Sequence, residues 1–402
     1  MTDKIVLAYS GGLDTSIAIK WIKENYKMDV VALTINVGGM EQKNLDDIKQ
    51  KALDVGAIKA YVIDARETFV SEYVWPALKA NAVYEGYPLA TALARPLIAK
   101  LLAETARKDG AKAVAHGSTG KGNDQVRFEV GVMALAPELK IYAPAREWDM
   151  SREQGIAYAA KHGIPVPITV DSPYSIDENL WGRSNECGVL EDPWIEPPDD
   201  AYDWTVSPKD APDKAEYIEI EFKKGIPVVL NGKTLDGVTL VETLNKLAGT
   251  HGVGRLDNVE SRLVGIKSRE IYEAPAGVVL LNAHQALEAI TLAKDQLRYK
   301  SRVAIEYADL TYNGLWFSAH RRDLAAYIDS TQRYVTGMVR MKLYKGVATV
   351  VGRKSPKSLY SYNLATYDEK DQFDHSNAEG FIRIWGLPVK TQTQLQGEAE
   401  DK

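Results

Sequence analysis

The feature that most constrains the fold of this chain is a regular alternation of apolar runs and amphipathic stretches over its first 165 residues. Five short apolar runs are typical of buried strands, and they cover residues 5–9, 30–35, 60–63, 113–116 and 140–143. After the first run, Ile17, Trp21 and Ile22 share one helical face, and after the second, Leu45 to Val55 repeat at helical spacing. Strands that alternate with helices predict an α/β fold with a five-stranded parallel sheet and right-handed crossovers.

The loop after the first predicted strand has the composition of a phosphate-binding loop. It reads Ser-Gly-Gly-Leu-Asp-Thr-Ser over residues 10–16 and leads into the first predicted helix. Its glycines let the backbone approach a ligand closely, and N–H groups at a helix start favour an anion. The hydroxyls of Ser10, Thr15 and Ser16 add donors for phosphate oxygens. Ligands of parallel sheets bind at the carboxyl ends of strands, where this loop is expected.

Asp14 is an unusual residue in such a loop, because carboxylate and phosphate repel each other. One interpretation makes it a first-turn acid that the dipole of the helix favours. The other makes it a ligand of Mg²⁺ beside the phosphates. The residues alone leave both interpretations open.

A second cluster of polar residues follows the fourth predicted strand, over residues 116–129. Its glycines make the loop accessible to a ligand, and Asn123 has the residue type of an N-cap. Asp124 and Arg127 lie three residues apart, on one face of the helix that follows. They form either a structural ion pair or the charged contacts of a zwitterionic amino acid, to which Thr119 and Asn123 would add neutral hydrogen bonds.

The alternation ends near residue 165, and the later part of the chain has a different pattern. Residues 193–213 are rich in proline and aspartate, which predicts a surface connection. Ile218, Ile220 and Phe222 alternate with charged residues, as in a strand buried on one face. These patterns predict an α+β second domain.

Three local signals refine this expectation. Residues 339–350 have the alternation of an antiparallel hairpin with a turn at positions 345 and 346. Ser151 to Gln154 and Thr239 to Glu242 have the form of capping boxes, which predicts a helix start at each. The last dozen residues are polar, and we expect them to fray or to form part of an exposed arm.

The composition restricts the class of protein. The chain has 402 residues, with 49 Lys and Arg against 55 Asp and Glu, which gives a formal net charge of −6. Nucleic-acid binders usually carry a basic excess, so this balance argues against a nucleic-acid partner. The single cysteine, Cys187, excludes a disulfide within the chain and favours the reducing cytoplasm. No run of about 18 apolar residues is present, so we expect no membrane span.

The chain resembles the argininosuccinate synthase family over essentially its whole length, because six motifs match that family's pattern in order and spacing. They are AYSGGLDTS, YPLATALARP, HGSTGKGNDQVRFE, SPYSIDENLWGRS, HGVGRLDNVESRLVGIKSREIYEAPAG and SPKSLY. The first motif is also similar to the pyrophosphate loop of the N-type ATP pyrophosphatases, which cleave ATP to AMP and pyrophosphate. The resemblance implies a ligase that condenses citrulline with aspartate through citrullyl-AMP, with ATP as co-substrate and Mg²⁺ as cofactor.

The resemblance also implies a fold and a domain division. The parallel sheet is expected to be adenine nucleotide alpha hydrolase-like, followed by an α+β synthetase domain and a C-terminal arm. We expect a nucleotide-binding domain over residues 1–165 and a synthetase or substrate-binding domain over residues 166–370. Residues 371–402 are expected to be an oligomerisation arm with a polar tail.

Site residues are implied position by position by the same resemblance. The ATP-binding set is Ala8, Tyr9, Ser10, Gly11, Gly12, Leu13, Asp14, Thr15, Ser16, Ile35 and Gly117. The substrate-binding set is Tyr87, Thr91, Thr119, Asn123, Asp124, Arg127, Ser175, Ser184, Glu260 and Tyr272. Asp14 and Asp124 are the candidate catalytic residues, and Asp14 is the candidate metal ligand.

The expected partners are L-citrulline and L-aspartate, bound by a cytoplasmic homotetramer that contacts neither nucleic acid nor membrane. Related adenylating enzymes fit less well. A glutamine-dependent amidotransferase needs a nucleophilic cysteine, and a tRNA thiolase needs reactive cysteines and a basic surface. A nucleotide-binding sensor without turnover is the alternative from another class, and pyrophosphate release that requires both amino acids would distinguish the two.

Overall fold

The structure is a computed structural model that describes residues 2–39, 42–148, 150–165 and 174–397. The chain divides into two compact units, Met1–Lys357 and Ser358–Lys402. The division into domains 1–165, 166–370 and 371–402 stays a prediction, and residues 166–173 beside its first boundary lie outside the described part. Among the described residues, no helix is long and apolar enough to cross a membrane.

The N-terminal part contains the five-stranded parallel sheet that the alternating pattern predicts. Its strands are β1 Lys4–Ala8, β2 Asp29–Asn36, β3 Lys59–Asp64, β4 Ala113–Ala115 and β5 Lys140–Tyr142. The strand order is β3-β2-β1-β4-β5, and every pairing is parallel. The central strand β1 lies between β2 and β4, so the loops that follow these three strands are neighbours at one edge of the sheet.

Helices flank this sheet. They are α1 Leu13–Asn25, α2 Gln42–Val55, α3 Arg66–Phe69, α4 Trp75–Ala80, α5 Ala90–Asp109, α6 Asp124–Leu135, α7 Pro144–Glu147 and α8 Arg152–Lys161. Ile5 and Leu7 of β1 pack with Ile17 and Ile22 of α1 in one apolar cluster, whereas Val6 belongs to another. Because neighbouring side chains of a strand point to opposite faces, both faces of β1 are covered.

Two antiparallel sheets follow along the chain. The first has the order β11-β12-β7-β6, with β6 Ser175–Asn179, β7 Gly182–Glu186, β11 Arg255–Ser261 and β12 Lys267–Glu273. The second has the order β10-β9-β8-β13-β14, with β8 Glu216–Lys223, β9 Ile226–Leu230, β10 Lys233–Thr234, β13 Gly337–Tyr344 and β14 Val347–Lys354. The predicted strand with buried Ile218, Ile220 and Phe222 is confirmed, as is the β13–β14 hairpin.

One of the two predicted capping boxes is confirmed and the other is wrong. Ser151 Oγ accepts from the N–H of Gln154, whose side chain accepts from the N–H of Ser151. The second predicted box lies three residues too late, because the helix begins at Gly237 and its N-cap is Asp236. The carboxylate of Asp236 accepts from the N–H of Thr239 at 2.9 Å. The helices here are α9 Gly237–Thr250, α10 Pro275–Thr291, α11 Lys294–Tyr312 and α12 Ala319–Thr331.

The second unit contains three helices within its described residues. Its helices are α13 Tyr362–Ala365, α14 Ser376–Trp385 and α15 Leu387–Gln396. The polar tail is therefore helical as far as Gln396, and residues 398–402 lie outside the described part. The helices of this unit are largely exposed, including Phe381 and Trp385 of α14, whose rings stack at 5.6 Å.

Candidate functional site

The glycine loop joins the end of β1 to the start of α1, as predicted for a phosphate-binding loop. Gly11 has a φ of +79°, a conformation that side chains with a Cβ rarely adopt. Gly12 has an ordinary φ, and a Cβ built on it would lie 3.4 Å from Ser10 Oγ. Lys51 of α2 donates to the carbonyl of Gly11 at 2.6 Å and helps to fix the loop. This contact brings a cation to the loop, and no local pattern of the sequence indicated it.

The three loop hydroxyls do not share one environment. Ser10 Oγ and Thr15 Oγ1 lie 3.1 Å apart at the loop. Ser16 is fully buried, and its hydroxyl lies 3.1 Å from that of Tyr9, beneath the loop. Ser10 and Thr15 are therefore the hydroxyls best placed for a phosphate, and the ATP-binding role of the whole set stays a prediction.

The loops after β2 and β4 lie beside the glycine loop. A Cβ on Gly117 would come within 2.9 Å of Thr15 Cγ2, so the loop after β4 packs closely on the start of α1. Ile35 is the second-last residue of β2, and its side chain is buried, which leaves its backbone as the part that a nucleotide could contact. Asp14 lies exposed in the first turn of α1, a position compatible with both of its interpretations.

The structure brings all ten predicted substrate-binding residues together around one cavity of about 240 Å³. They are Tyr87, Thr91, Thr119, Asn123, Asp124, Arg127, Ser175, Ser184, Glu260 and Tyr272. The predicted ATP residue Gly117 also lines the cavity and links it to the glycine loop. That these side chains bind the two amino acids stays a prediction.

Asp124 and Arg127 form the predicted ion pair, but the pair belongs to a larger network. Arg127 Nη1 lies 3.0 Å from Asp124 Oδ1, and Arg95 Nη2 lies 2.7 Å from Asp124 Oδ2. Arg95 also binds Asp177 at 2.8 Å, and Thr91 donates to the same carboxylate at 2.8 Å. Burial raises the pKa of Asp124, but the charges of Arg95 and Arg127 outweigh it, so that this pKa lies below its usual range. Asp124 is therefore held as a carboxylate.

Arg127 lines the cavity, and one of its donor atoms makes no hydrogen bond within the described residues. Its Nε donates to the carbonyl of Tyr312 at 2.9 Å, and its Nη1 faces Asp124. Its Nη2 is buried and has no hydrogen-bond partner in the part of the chain that the structure describes. A buried donor without an acceptor is costly, so this atom points to a ligand that carries an acceptor, such as a carboxylate.

The prediction that Asn123 caps α6 is wrong in its chemistry. The residue stands at the N-cap position, but its backbone is helical and its side chain makes no capping bond. Its Nδ2 instead donates to Tyr312 Oη at 2.8 Å, and its Oδ1 accepts from the N–H of Leu263 at 2.8 Å. Asn123 thus ties the loop after β4 to the second half of the chain at the cavity wall.

The opposite wall is formed by β11 and β12 and is rich in carboxyl groups. Tyr272 Oη lies 2.8 Å from Glu260 and 2.9 Å from Glu270, and its ring stacks on Tyr87 at 4.2 Å. Burial first, and then the charges of Glu260 and Glu186, raise the pKa of Glu270 to about 7. A carboxyl group with such a pKa exchanges protons near neutral pH, a property that is typical of residues in functional sites.

Four charged cavity residues were missed as candidate site residues from the sequence: Asp177, Glu186, Arg262 and Glu270. Glu270 could have been found, because it lies two positions before Tyr272 on the same strand and therefore on the same face. Asp177 stands two positions after Ser175 on β6, and the same period applies to it. Nothing local indicates that Arg262 bridges Glu186 and Glu270, since that contact joins separate strands.

Comparisons with known proteins agree on one family. The family model described as Arginosuccinate synthase N-terminal HUP domain matches residues 4–165, and that described as Arginosuccinate synthase C-terminal domain matches residues 174–392. A Dehalococcoides mccartyi protein named argininosuccinate synthase is 61% identical over 403 residues, covering 100% of this chain and 99% of the relative. Proteins of that name from Oceanobacillus iheyensis and Gloeobacter violaceus are 59% and 60% identical to this chain. Each alignment covers 98% of this chain, and it covers 94% of the Oceanobacillus protein and 99% of the Gloeobacter protein.

Proposed function

The chain belongs to the argininosuccinate synthase family, whose members are ligases of arginine biosynthesis, and we propose that it joins citrulline to aspartate at the expense of ATP. The products are argininosuccinate, AMP and pyrophosphate. The observation that carries this proposal is Arg127 Nη2, which is buried and has no hydrogen-bond partner among the described residues. Arg127 lines the same cavity as the carboxylates of Asp124 and Glu260. A zwitterionic amino acid supplies a carboxylate that accepts from Arg127 and an ammonium group that donates to the carboxylates of Asp124 and Glu260.

In the first proposed step, the ureido oxygen of citrulline attacks the α-phosphorus of ATP. A new oxygen–phosphorus bond forms while the bond to the bridging oxygen of pyrophosphate breaks, which gives citrullyl-AMP. The backbone N–H groups of residues 10–12 and the start of α1 stabilise the charge on the leaving pyrophosphate. Positioning of the two reacting groups supplies most of the remaining rate enhancement.

In the second step, the amine of aspartate attacks the activated ureido carbon and AMP leaves. The ammonium group of aspartate must first lose a proton. Asp124 is a weak base, because its two arginines lower its pKa, so we assign it the orientation of this ammonium group. We therefore assign the proton to the phosphate oxygens of the adenylate, which leave with AMP.

Asp14 is the residue that would hold Mg²⁺. Within the described residues, no group of three or more His, Cys, Asp or Glu side chains could bind a metal on its own. Mg²⁺ often binds through one or two carboxylates together with substrate phosphates, and an exposed acid in the first turn beside the glycine loop fits that mode. When bound, the ion neutralises phosphate charge.

Labelled citrulline tests the order of bond formation. Citrulline with ¹⁸O in its ureido group should deliver the label into the phosphate of AMP. Repeated turnover to pyrophosphate should require both amino acids, because citrulline alone can release at most one pyrophosphate per site. Unlabelled AMP would rule out adenylation of citrulline, and pyrophosphate release without citrulline and aspartate would favour another activity. Binding of ATP with no pyrophosphate release under any condition would favour the sensor alternative.

Asp14→Ala tests the metal assignment with the same label. The variant should slow label transfer far more than it weakens citrulline binding, because the missing interaction grows as pyrophosphate leaves. Transfer at the parent rate would return Asp14 to the role of a first-turn acid.

We infer further that the enzyme is a cytoplasmic homotetramer. The single cysteine supports a reducing compartment. The exposed apolar side chains of the second unit support assembly through that unit, because large apolar patches mark interaction sites. Light scattering of the purified chain would give its mass in solution.

A further inference from the structure

On the carboxyl-rich wall of the cavity, one tyrosine hydroxyl group contacts two carboxyl groups. Tyr272 Oη lies within hydrogen-bond distance of two carboxyl oxygens, Glu260 Oε2 at 2.8 Å and Glu270 Oε2 at 2.9 Å. A phenol has one hydrogen, so Tyr272 donates to one of these oxygens and cannot donate to both. The second contact is a hydrogen bond only if its carboxyl group carries a proton and donates to Tyr272.

The other partners of Glu260 are hydrogen-bond donors, from which a carboxyl group accepts without a proton of its own. Tyr312 Oη lies 2.6 Å from Glu260 Oε1, and Asn258 Nδ2 donates to Glu260 Oε2 at 3.2 Å. The direction of the Tyr312 bond is fixed, because Tyr312 already accepts from Asn123, whose amide is oriented by the N–H of Leu263. Glu260 therefore accepts from two donors besides Tyr272, and its contact with Tyr272 needs no proton on Glu260.

Glu270 has weaker compensation for a negative charge. Its one cationic neighbour among the described residues, Arg262, lies 3.2 Å away and binds Glu186 more closely. The carboxylates of Glu186 and Glu260 both repel a charge on Glu270, and its side chain is 14% exposed. The proton of the cluster therefore lies on Glu270 Oε2 and is donated to Tyr272 Oη, while Tyr272 donates to Glu260.

We propose that Glu270 carries a proton in the substrate-free cavity and releases it to solvent when the α-ammonium group of citrulline binds. This inference rests on the function proposed above and makes Glu270 a citrulline-binding residue whose protonation state changes on binding. The neutral carboxyl group reduces repulsion among the three glutamates while no cation is present. Arrival of the ammonium group converts it to a carboxylate, and one proton leaves for each ligand that binds to the protonated form.

The inference predicts how citrulline affinity depends on pH. A carboxyl group with a pKa of about 7 is protonated below neutral pH, and the protonated form binds an ammonium group poorly. Affinity should therefore rise with pH and level off above the pKa. The dissociation constant of citrulline should be about tenfold higher at pH 6 than at pH 8, from the linkage of one proton.

Calorimetry of the full-length chain tests the coupling directly. Citrulline is titrated at pH 7 in phosphate and in Tris, two buffers whose ionisation enthalpies differ. The difference in binding enthalpy should correspond to release of about half a proton per site, because a group with a pKa of about 7 is half protonated there. A role in packing alone would not give buffer-dependent heat.

Two variants separate Glu270 from its neighbours. Glu270→Gln keeps a donor to Tyr272 and should bind citrulline with the same enthalpy in both buffers and with little dependence on pH. Glu186→Gln removes one like charge and should keep proton release but move its midpoint to lower pH. Buffer-independent binding by the parent chain, or unchanged release by Glu270→Gln, would overturn the inference and leave the proposed function intact. Absence of citrulline binding at both pH 6 and pH 8 would overturn both.

Discussion

Asp124 and Arg127 form an ion pair with each other, but their remaining interactions differ. Asp124 also pairs with Arg95, whereas Nη2 of Arg127 has no hydrogen-bond partner within the described residues and can donate to a ligand. Asp124→Asn should therefore weaken mainly aspartate, and Arg127→Gln mainly citrulline. Each loss should be about 1.5–3 kcal/mol, as for hydrogen bonds to charged groups. The Michaelis constants of both substrates measure the split.

Glu138→Gln is a suitable control for these variants, because it alters an exposed ion pair with Arg107 away from the cavity. It should leave both Michaelis constants unchanged. If Asp124→Asn and Arg127→Gln lowered the melting temperature and left both constants alone, their pair would be structural and the assignment to substrate would be wrong.

At this scale, motif resemblance predicts many of the residues that line the cavity. It does not predict the contacts that hold these residues in place. Thr119, Asn123 and Arg127 occur in one motif, so their proximity follows from local spacing. The contacts of Asn123 and Arg127 with Tyr312 and Leu263 join residues more than a hundred positions apart, and no local pattern encodes such pairs. The chemistry of a buried side chain depends on those distant partners.

The junction of β1 with α1 is the element on which nucleotide binding depends. Gly12→Val should abolish ATP binding and leave the melting temperature nearly unchanged, since its backbone suits any residue and a Cβ has space. Gly11→Val is the contrasting variant and should also destabilise the fold, because φ is +79° and Ile48 lies 3.0 Å from the added carbon. Calorimetry with ATP and a thermal melt separate the two. Undiminished ATP affinity in Gly12→Val would contradict the phosphate-loop assignment.

A buried ion pair joins α10 to α11. Glu288 binds Lys300 at 3.0 Å and accepts from Asn81 and Gln332, and both charged side chains are 2% exposed. Glu288→Ala should lower the free energy of unfolding by about 3–5 kcal/mol, because it leaves the Lys300 charge buried and unpaired. The control Glu219→Ala, in an exposed pair, should cost about 0–1 kcal/mol. Urea titrations give both values, and equal losses would show that the buried pair has no special weight.

The sequence predicts the elements with clear hydrophobic periodicity, but it predicts the residues at which helices begin less well. All five parallel strands were found because each is short, apolar and followed by a break, which period and length alone reveal. The start of α9 was misplaced because Thr239 and Glu242 imitate a capping box. Asp236 is the actual cap, and choosing between nearby caps depends on how the helix packs, which the local sequence does not contain.

On the scale of the whole molecule, the second unit carries a group of exposed large apolar side chains on one helix. Phe381 and Trp385 of α14 are 61% and 74% exposed, and Ile382 and Ile384 beside them are 64% and 72% exposed. If other copies of the chain cover this helix in the proposed homotetramer, each aromatic ring contributes roughly 1.5–3 kcal/mol through burial. The expected domain 371–402 would then act as an arm whose helices are stabilised mainly by assembly.

Removal of the two α14 rings tests that assembly. The double variant Phe381→Ser with Trp385→Ser should dissociate to smaller species at concentrations where the parent chain stays assembled. Multi-angle light scattering across a dilution series gives the mass of each species. Tyr367→Ser is the matched control, because Tyr367 is 99% exposed in the same unit but lies outside α14. A monomeric parent chain would contradict the homotetramer itself. If copies assemble through α14, removing its two rings must weaken the assembly. Equal masses for parent and double variant at every concentration would therefore show that other surfaces hold the copies together.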